Sequence, residues 1–321
     1  MSRANGCVMT PVSQIRLMVG GSMNQMVFPR GAVPPIPTFL KDGQFDRASQ
    51  ESLLLGLRSA GLDGVLTLGT VGEGPVLSGE VRHEAIVEAV RCFGEGRVIA
   101  GCFGQTPGAV LDQIRAAADS GAAAALALPP YYFGLPQRTL LTYYQEIADA
   151  APLPILLYHI PKLTGNPLEP ELLGSLAAHP NIVGMKDSGG DLMRFLRLRQ
   201  SLASDDFVVF QGVAALVGPT LIAGASDTMC TVSALLPRHE RSLRQAILQG
   251  DGAAFGDPLR LIALVADLFR RLPYPIPATF KAVAHLLGLG PLETHLPALS
   301  PDESELRFLR QELDAMGVFS E

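Results

Sequence analysis

The sequence predicts an α/β fold: a closed (β/α)8 TIM barrel followed by a C-terminal helical appendage. Three observations carry that prediction. From residue 31 onward, short β-rich runs alternate with amphipathic segments eight times, at a repeat of roughly 25 to 30 residues. The strand candidates are apolar on both faces, as buried parallel strands with crossover helices are. After about residue 237 the strand signals stop and helical spacing continues alone. Eight repeats favour a closed barrel over an open doubly wound sheet, and the first strand is not followed by the G-x-G-x-x-G of a nucleotide-binding turn.

The elements follow in order. Residues 1–29 contain Met1, Met9, Met18, Met23 and Met26, with no strong periodicity and no apolar stretch long enough for a secretory signal. They read as a disordered or over-extended start. The strand candidates are Gly31 to Ile36, Gly64 to Leu68, Val98 to Phe103, Ala123 to Leu128, Pro154 to Tyr158, Ile182 to Lys186, Phe207 to Gln211 and Asp227 to Val232. Between them lie helical segments such as Asp46 to Ala60, Ser78 to Phe93, Gly108 to Ser120 and Pro136 to Ala150. The barrel is expected over residues 30–237 and the helical part over 238–321. In that last part, Leu243 to Leu248, Leu259 to Leu272 and Thr279 to Leu287 carry helical spacing. A final helix is expected to open at Ser300-Pro301-Asp302-Glu303 with proline in its first turn.

Composition narrows the function. With 48% hydrophobic and 17% charged residues, most of the 321-residue chain can bury a core rather than stay disordered. A net charge of −6 lacks the basic face that nucleic acid would require. The mean hydropathy is positive, yet no run reaches the roughly 18 apolar residues of a membrane span. The reading is a soluble, cytoplasmic protein. Cys7, Cys92, Cys102 and Cys230 form no C-x-x-C pair and read as buried thiols in a reducing compartment. The six histidines show neither H-x-H nor H-E-x-x-H spacing, so no metal site is expected.

Lys186 is the most informative residue. Of 25 basic residues only Lys41, Lys162, Lys186 and Lys281 are lysines. Lys186 closes the apolar run Asn181-Ile182-Val183-Gly184-Met185 and precedes the polar loop Asp187-Ser188-Gly189-Gly190-Asp191. A buried strand ending so delivers an amine to the C-terminal edge of the sheet, where desolvation favours the free amine that attacks a ketone. Two blander readings stand beside it: a lysine snorkelling to water, or one half of an ion pair with Asp187. Three other constellations fall on the same rim of a barrel, where strand ends face the catalytic mouth. Gly69-Thr70-Val71-Gly72-Glu73 follows the second strand and reads either as an ordinary turn or as a nest of N–H groups for a carboxylate. Tyr158, in Leu156-Leu157-Tyr158-His159-Ile160-Pro161, is either a proton shuttle or a core tyrosine. Tyr131-Tyr132, after Pro129-Pro130, reads as packing or as a proton relay.

Together, Gly72-Glu73, Tyr131-Tyr132, Tyr158-x-x-Pro161 with Thr164-Gly165, and Gly184-Met185-Lys186-Asp187 resemble the dihydrodipicolinate synthase / N-acetylneuraminate lyase family of pyruvate-dependent class I aldolases. The resemblance runs from about Gly31 to the C-terminus. It implies a (β/α)8 barrel with C-terminal helices, often assembled as a homodimer or homotetramer, that acts without a cofactor beyond the covalent imine. Lys186 would form that imine with pyruvate or another 2-oxo acid, and Tyr158 would transfer protons. Thr70 would link the tyrosines by its hydroxyl, while the Thr70-Val71-Gly72 loop bound the substrate carboxylate. Tyr132 aligns with a tyrosine that many members lend across a dimer interface, and Met229 lines the pocket or stays a core methionine. His159, Lys162, Ser188 and Asp191 are further rim residues that read as contacts or as structural groups.

Two departures matter. The synthases of lysine biosynthesis carry an arginine after the strand-five tyrosine that grips the second substrate's carboxylate, and this chain has Leu163 there. A neighbouring lysine does not copy a bidentate fork. Val71 also replaces the second hydroxyl of the usual Gly-Thr-Thr-Gly-Glu loop. The Asn181 to Asp191 stretch is similar to 4-hydroxy-2-oxoglutarate and 2-keto-3-deoxy sugar-acid aldolases. The expectation is therefore an aldolase cleaving or joining pyruvate and an aldehyde, with 4-hydroxy-tetrahydrodipicolinate (dihydrodipicolinate) synthase as the alternative. A dehydratase and a non-catalytic keto-acid-binding barrel stand further behind.

Overall fold

The computed structural model describes residues 28–295 and 300–319. The expectation for the start of the chain lies, through residue 27, outside the described residues. Phe28 already packs against the barrel interior, two residues ahead of the boundary read at Arg30.

Before the barrel proper comes an antiparallel hairpin, β1 (Leu40–Lys41) and β2 (Gln44–Phe45). Its turn residues Asp42 and Gly43 both have positive φ, 55° and 74°. An Asp-Gly pair is the ordinary choice for that hairpin turn. The sheet that follows is parallel, in the order β3 (Val65–Thr67), β4 (Val98–Cys102), β5 (Ala124–Ala127), β6 (Ile155–His159), β7 (Ile182–Asp187) and β8 (Val208–Gln211).

Six strands become a closed barrel through the segments expected as the first and last strands, which pair by isolated bridges instead of ladders. Ala32 pairs with Thr228, Pro35 with Leu66 and Gln211 with Thr228. Val33 N–H donates to Thr228 O at 2.9 Å and Ile36 N–H to Leu66 O at 2.9 Å, while Met229 N–H donates to Gln211 O at 2.8 Å. The first segment stays irregular because Pro34, Pro35 and Pro37 have no N–H to give a ladder. The last is shorter than expected: past Met229 the chain turns into a 3₁₀ turn at Val232–Ala234.

The helices expected around the barrel form α1 (Arg47–Ser59), α2 (Gly79–Phe93), α3 (Pro107–Asp119) and α4 (Gln137–Ala150). Asp46, Ser78 and Thr106 cap the first three, each accepting a backbone N–H three residues on. A short α5 (Pro161–Thr164) precedes α6 (Pro170–Ala177), α7 (Leu192–Leu202) and α8 (Val217–Ile222). Four further helices follow: α9 (Pro237–Gln249), α10 (Gly256–Arg271), α11 (Ile276–Leu286) and α12 (Glu303–Met316). The last does not open on its proline. Asp302 is the N-cap, with a capping box to Glu305 worth about 1 kcal/mol, and Pro301 lies outside the helix. Among the described residues no helix is long and apolar enough to cross a membrane.

Strand alternation sorts the core. Leu66, Ile99, Leu126, Leu156, Tyr158, Val208, Phe210 and Met229 fill the barrel interior, so it is packed rather than hollow. Leu157, Met185 and Val209 face the helix ring instead. A third cluster joins α1 and the first barrel segment to α9–α12, so the C-terminal helices share a core with the barrel wall.

Candidate active site

β6 and β7 lie side by side in a register that sets Tyr158 opposite Lys186. Both side chains are buried, at 2% and 3% exposure. Lys186 Nζ donates to Tyr158 Oη at 3.2 Å and lies 4.3 Å from the centre of its ring. Thr70 Oγ1, from the loop after β3, is 3.4 Å from the same phenol. Residues 70, 158 and 186 thus form one chain of polar atoms at the C-terminal ends of three strands. Burial pushes the Tyr158 phenol up, but the adjacent Lys186 charge and the bonds from Thr70, Lys186 and Ser188 outweigh it and hold its pKa below the usual tyrosine value.

The next residues on both strands, His159 and Asp187, face away from the interior by strand alternation. Their arrangement removes the reading of Lys186 as the ion-pair partner of Asp187. Asp187 Oδ2 instead meets Arg194 Nη1 at 3.4 Å, and Oδ1 accepts Gly189 N–H at 2.9 Å. Burial pushes the Asp187 carboxyl up, against the Gly189 bond and Arg194, which pull it down. His159 Nδ1 accepts Leu168 N–H at 3.2 Å, which leaves the ring proton on Nε2, 3.9 Å from Asp187. Burial first, then Arg194, pushes the His159 pKa down to about 4, so the ring is neutral at pH 7.

The loop after β3 uses two of its amides internally. Glu73 N–H and Gly74 N–H are bonded within the turn, to Thr70 O and Gly69 O, both at 3.2 Å. The N–H groups of Thr70, Val71 and Gly72 have no acceptor among the described residues. The Val71 side chain is buried in the core cluster that α1 shares with the C-terminal helices. Met229 is wholly buried in the interior with Tyr158 and Phe210. Tyr132 is not brought to the cluster: it is 80% exposed and stacks edge-on against Phe133 at 4.9 Å. Leu163, on α5, is also exposed, as is Lys162. Asp191 caps α7, accepting Arg194 N–H at 3.0 Å, which accounts for it structurally.

The family model for the dihydrodipicolinate synthetase family matches residues 28–316. The chain belongs to that family. It is accordingly an enzyme, a lyase of the pyruvate-dependent aldolase class. The 4-hydroxy-tetrahydrodipicolinate synthase of Methanothrix thermoacetophila is 32% identical over 290 residues, covering 89% of this chain and 97% of the relative. Dihydrodipicolinate synthase from Acinetobacter baumannii, solved with pyruvate, superposes with a TM-score of 0.81 at 29% identity, over 90% of this chain and 99% of that one. A prophage protein of the dihydrodipicolinic acid synthase family from E. coli K12, also solved with pyruvate, gives a TM-score of 0.83 at 25% identity, over 90% and 99%. The names of the first two relatives favour the synthase, the alternative reading, over the aldolase expected first.

Within this synthetase-family barrel, Gly212 and Asn166 support the site without belonging to the motifs above. Gly212, just after β8, backs the lysine: a Cβ there would overlap Ser188 Oγ and lie 3.1 Å from Lys186 Cε. Asn166, 1% exposed, donates to Pro130 O at 2.7 Å and Phe133 O at 2.8 Å and accepts Leu135 N–H at 2.7 Å. It thereby stitches the Tyr131–Phe133 rim to the end of α5. Its signal was local, an asparagine after Thr164-Gly165. Glu51, Glu88 and Cys92, whose ligating atoms lie within 4.8 Å of one another, sit away from this mouth on α1 and α2. Arg91 binds both carboxylates, at 2.6 Å and 2.5 Å, and Arg47 binds Glu88 at 2.8 Å, so the group is an ion-pair network.

Proposed function

We propose that the chain joins or cleaves a C–C bond between pyruvate and an aldehyde through an imine on Lys186. The observation that carries this reading is the contact of Lys186 with Tyr158 at 3.2 Å inside a buried mouth. The amine adds to the keto carbon of pyruvate and water leaves, giving a protonated imine. Loss of a C3 proton gives the enamine, which attacks the aldehyde carbon. The new alkoxide takes a proton from Tyr158, and hydrolysis frees Lys186. Cleavage of a 4-hydroxy-2-oxo acid runs the same steps backward. The imine is the electron sink, so the steps need no metal or other cofactor. Thr70 passes protons to and from Tyr158, while the amides of Thr70, Val71 and Gly72 bind the pyruvate carboxylate and Met229 forms the apolar floor. In this scheme residues 30–237 carry the chemistry and 238–321 support them.

For the aldehyde, the names of the relatives support 4-hydroxy-tetrahydrodipicolinate synthase. One observation keeps the aldolase reading beside it. Leu163 stands where the biosynthetic synthases have a carboxylate-gripping arginine, so the second substrate loses a bidentate partner. The exposed Tyr132 supports assembly as a homodimer or homotetramer, with that tyrosine lent to the neighbouring site. Cys92, Cys102 and Cys230 are free and buried, which raises their pKa values to about 11, 12 and 11 and suits a reducing cytoplasm.

Borohydride trapping with pyruvate, followed by peptide mass spectrometry, tests the class. The expected result is a mass gain on the Lys186 peptide that is absent in Lys186→Ala. An adduct on another lysine, or none, overturns the mechanism. Products then decide the aldehyde: formation of 4-hydroxy-tetrahydrodipicolinate marks the synthase, and pyruvate released from 4-hydroxy-2-oxoglutarate or a 2-keto-3-deoxy sugar acid marks the aldolase. A 2-oxo product that keeps every carbon marks a dehydratase.

A further inference from the structure

The loop that offers the three free amides is conformationally expensive. Leu68 at its start and Glu73 at its end both have left-handed backbones, with φ of 57° and 55°, although both carry a β-carbon. The surroundings must therefore hold it. Thr38 Oγ1 donates to Gly72 O at 2.8 Å, and Arg82 Nη1 donates to Gly74 O at 2.6 Å. The third hold comes from 208 residues away. Lys281 on α11 donates to Glu73 Oε1 at 2.6 Å, and His295 N–H donates to Glu73 Oε2 at 2.8 Å. Lys281 also donates to Glu293 O at 2.6 Å, and the Glu293 carboxylate accepts the N–H groups of Asp42 and Gly43 at 2.8 and 2.6 Å.

Both charged side chains of this pair are wholly buried. A buried ion pair adds little stability over a well-packed apolar pair, because desolvation offsets the attraction. What it does supply is geometry: two oxygens of one carboxylate held from two directions, next to the amides at Thr70 to Gly72. We propose that Lys281 is a positioning residue, fixing through Glu73 the amide nest that receives the carboxylate of the 2-oxo acid. The C-terminal helices thereby set the affinity of a site built at the barrel mouth. This role rests on the reading of that loop as the carboxylate grip.

The test is a pyruvate titration of borohydride trapping on the full chain, with the Lys186 adduct read by mass. The variants are Lys281→Met, the doubly neutral Glu73→Gln/Lys281→Met, and Thr38→Val. The double variant leaves no unpaired buried charge, and Thr38→Val loses one neutral hydrogen bond to the same loop. The half-saturating pyruvate concentration is expected to rise about tenfold or more in the folded Lys281 variants, with the adduct plateau retained. Thr38→Val is expected to shift it in the same direction by less. A lowered melting temperature with half-saturation unchanged in the folded variants overturns the role, and if neither Lys281 variant folds, an unchanged Thr38→Val overturns it. Absence of a Lys186 adduct in the unmodified protein removes the carboxylate-grip reading and this role with it. A normal adduct there, with unmoved variants, sinks the positioning role alone.

Discussion

Lys186 and Lys281 are both removed from solvent, at 3% and 0% exposure, and their surroundings separate them. Lys281 is held by the Glu73 carboxylate at 2.6 Å and by a backbone carbonyl at the same distance. Lys186 has no carboxylate within 4.0 Å among the described residues, and its polar partner is the Tyr158 phenol. Burial pushes the Lys281 pKa down and the Glu73 carboxylate opposes that shift, so the side chain serves as a tie. An amine beside a phenol can exchange its proton with that phenol. Burial alone therefore does not separate the two lysines; the partner does.

The largest expected effect breaks the comparison outright. Lys186→Ala is expected to cost at least about a thousandfold in kcat and to abolish trapping, because the covalent path itself is lost. Lys281→Met is expected to keep the plateau of trapped adduct. Equal loss of trapping in both folded variants would show that the carboxylate partner does not distinguish the two amines. Next in size is Tyr158→Phe, which leaves the lysine and removes its proton partner. A loss of about a hundredfold to ten-thousandfold in kcat is expected, with slower but still detectable trapping. Turnover within about threefold of the unmodified enzyme would assign the proton transfer elsewhere.

The same contrast explains what could be read from the chain. Lys186 and Tyr158 were legible because each stands near the end of a short apolar strand, and Thr70 because it lies in the loop just after another; a barrel gathers strand ends whatever their separation in sequence. The tie at Lys281 was not legible, since nothing near residue 281 names a carboxylate 208 residues earlier. The eight-strand plan was legible from apolar runs. The first segment, apolar enough to pass for a strand, pairs only by isolated bridges because Pro34 and Pro35 have no N–H for a ladder. Tyr132 was grouped with the catalytic residues by resemblance, and in the single chain it stands apart from them.

Behind Lys186, the outward-facing His159 gives a pH signature to the wall that carries it. Its folded pKa lies near 4, against an ordinary value of 6.5, so the unfolded chain binds the proton more readily. The stability tied to the neutral ring is complete above about pH 6.5 and is lost as pH falls toward 4. The loss amounts to at most about 3 kcal/mol. Asp187 works in the opposite sense, since its raised pKa lets the folded state take a proton first on acidification, and Arg194 opposes both protonations. Melting temperatures between pH 7.5 and 5 are therefore expected to fall more steeply in the unmodified protein than in His159→Asn. Parallel slopes would show that this ring is not the group being protonated.

The smallest effect expected is steric, and it sharpens the comparison because it touches only one lysine. Gly212 does not have a left-handed backbone, so the obstacle to an alanine there is a shortage of space. Its Cβ would lie 3.1 Å from Lys186 Cε and 2.9 Å from Asp187 O, and it would press Ser188 Oγ out of place. Lys186 would turn on its stem, and its amine would leave the line to Tyr158 Oη. Gly212→Ala is expected to lower kcat about tenfold while the half-saturating pyruvate of trapping moves little, because the amides of Thr70 to Gly72 are untouched. That is the reverse of the Lys281→Met pattern, in which affinity moves and the plateau stays. If Gly212→Ala shifted pyruvate affinity as much as Lys281→Met does, the amine and the carboxylate grip would be one coupled unit, and the division of labour between the two lysines would fail.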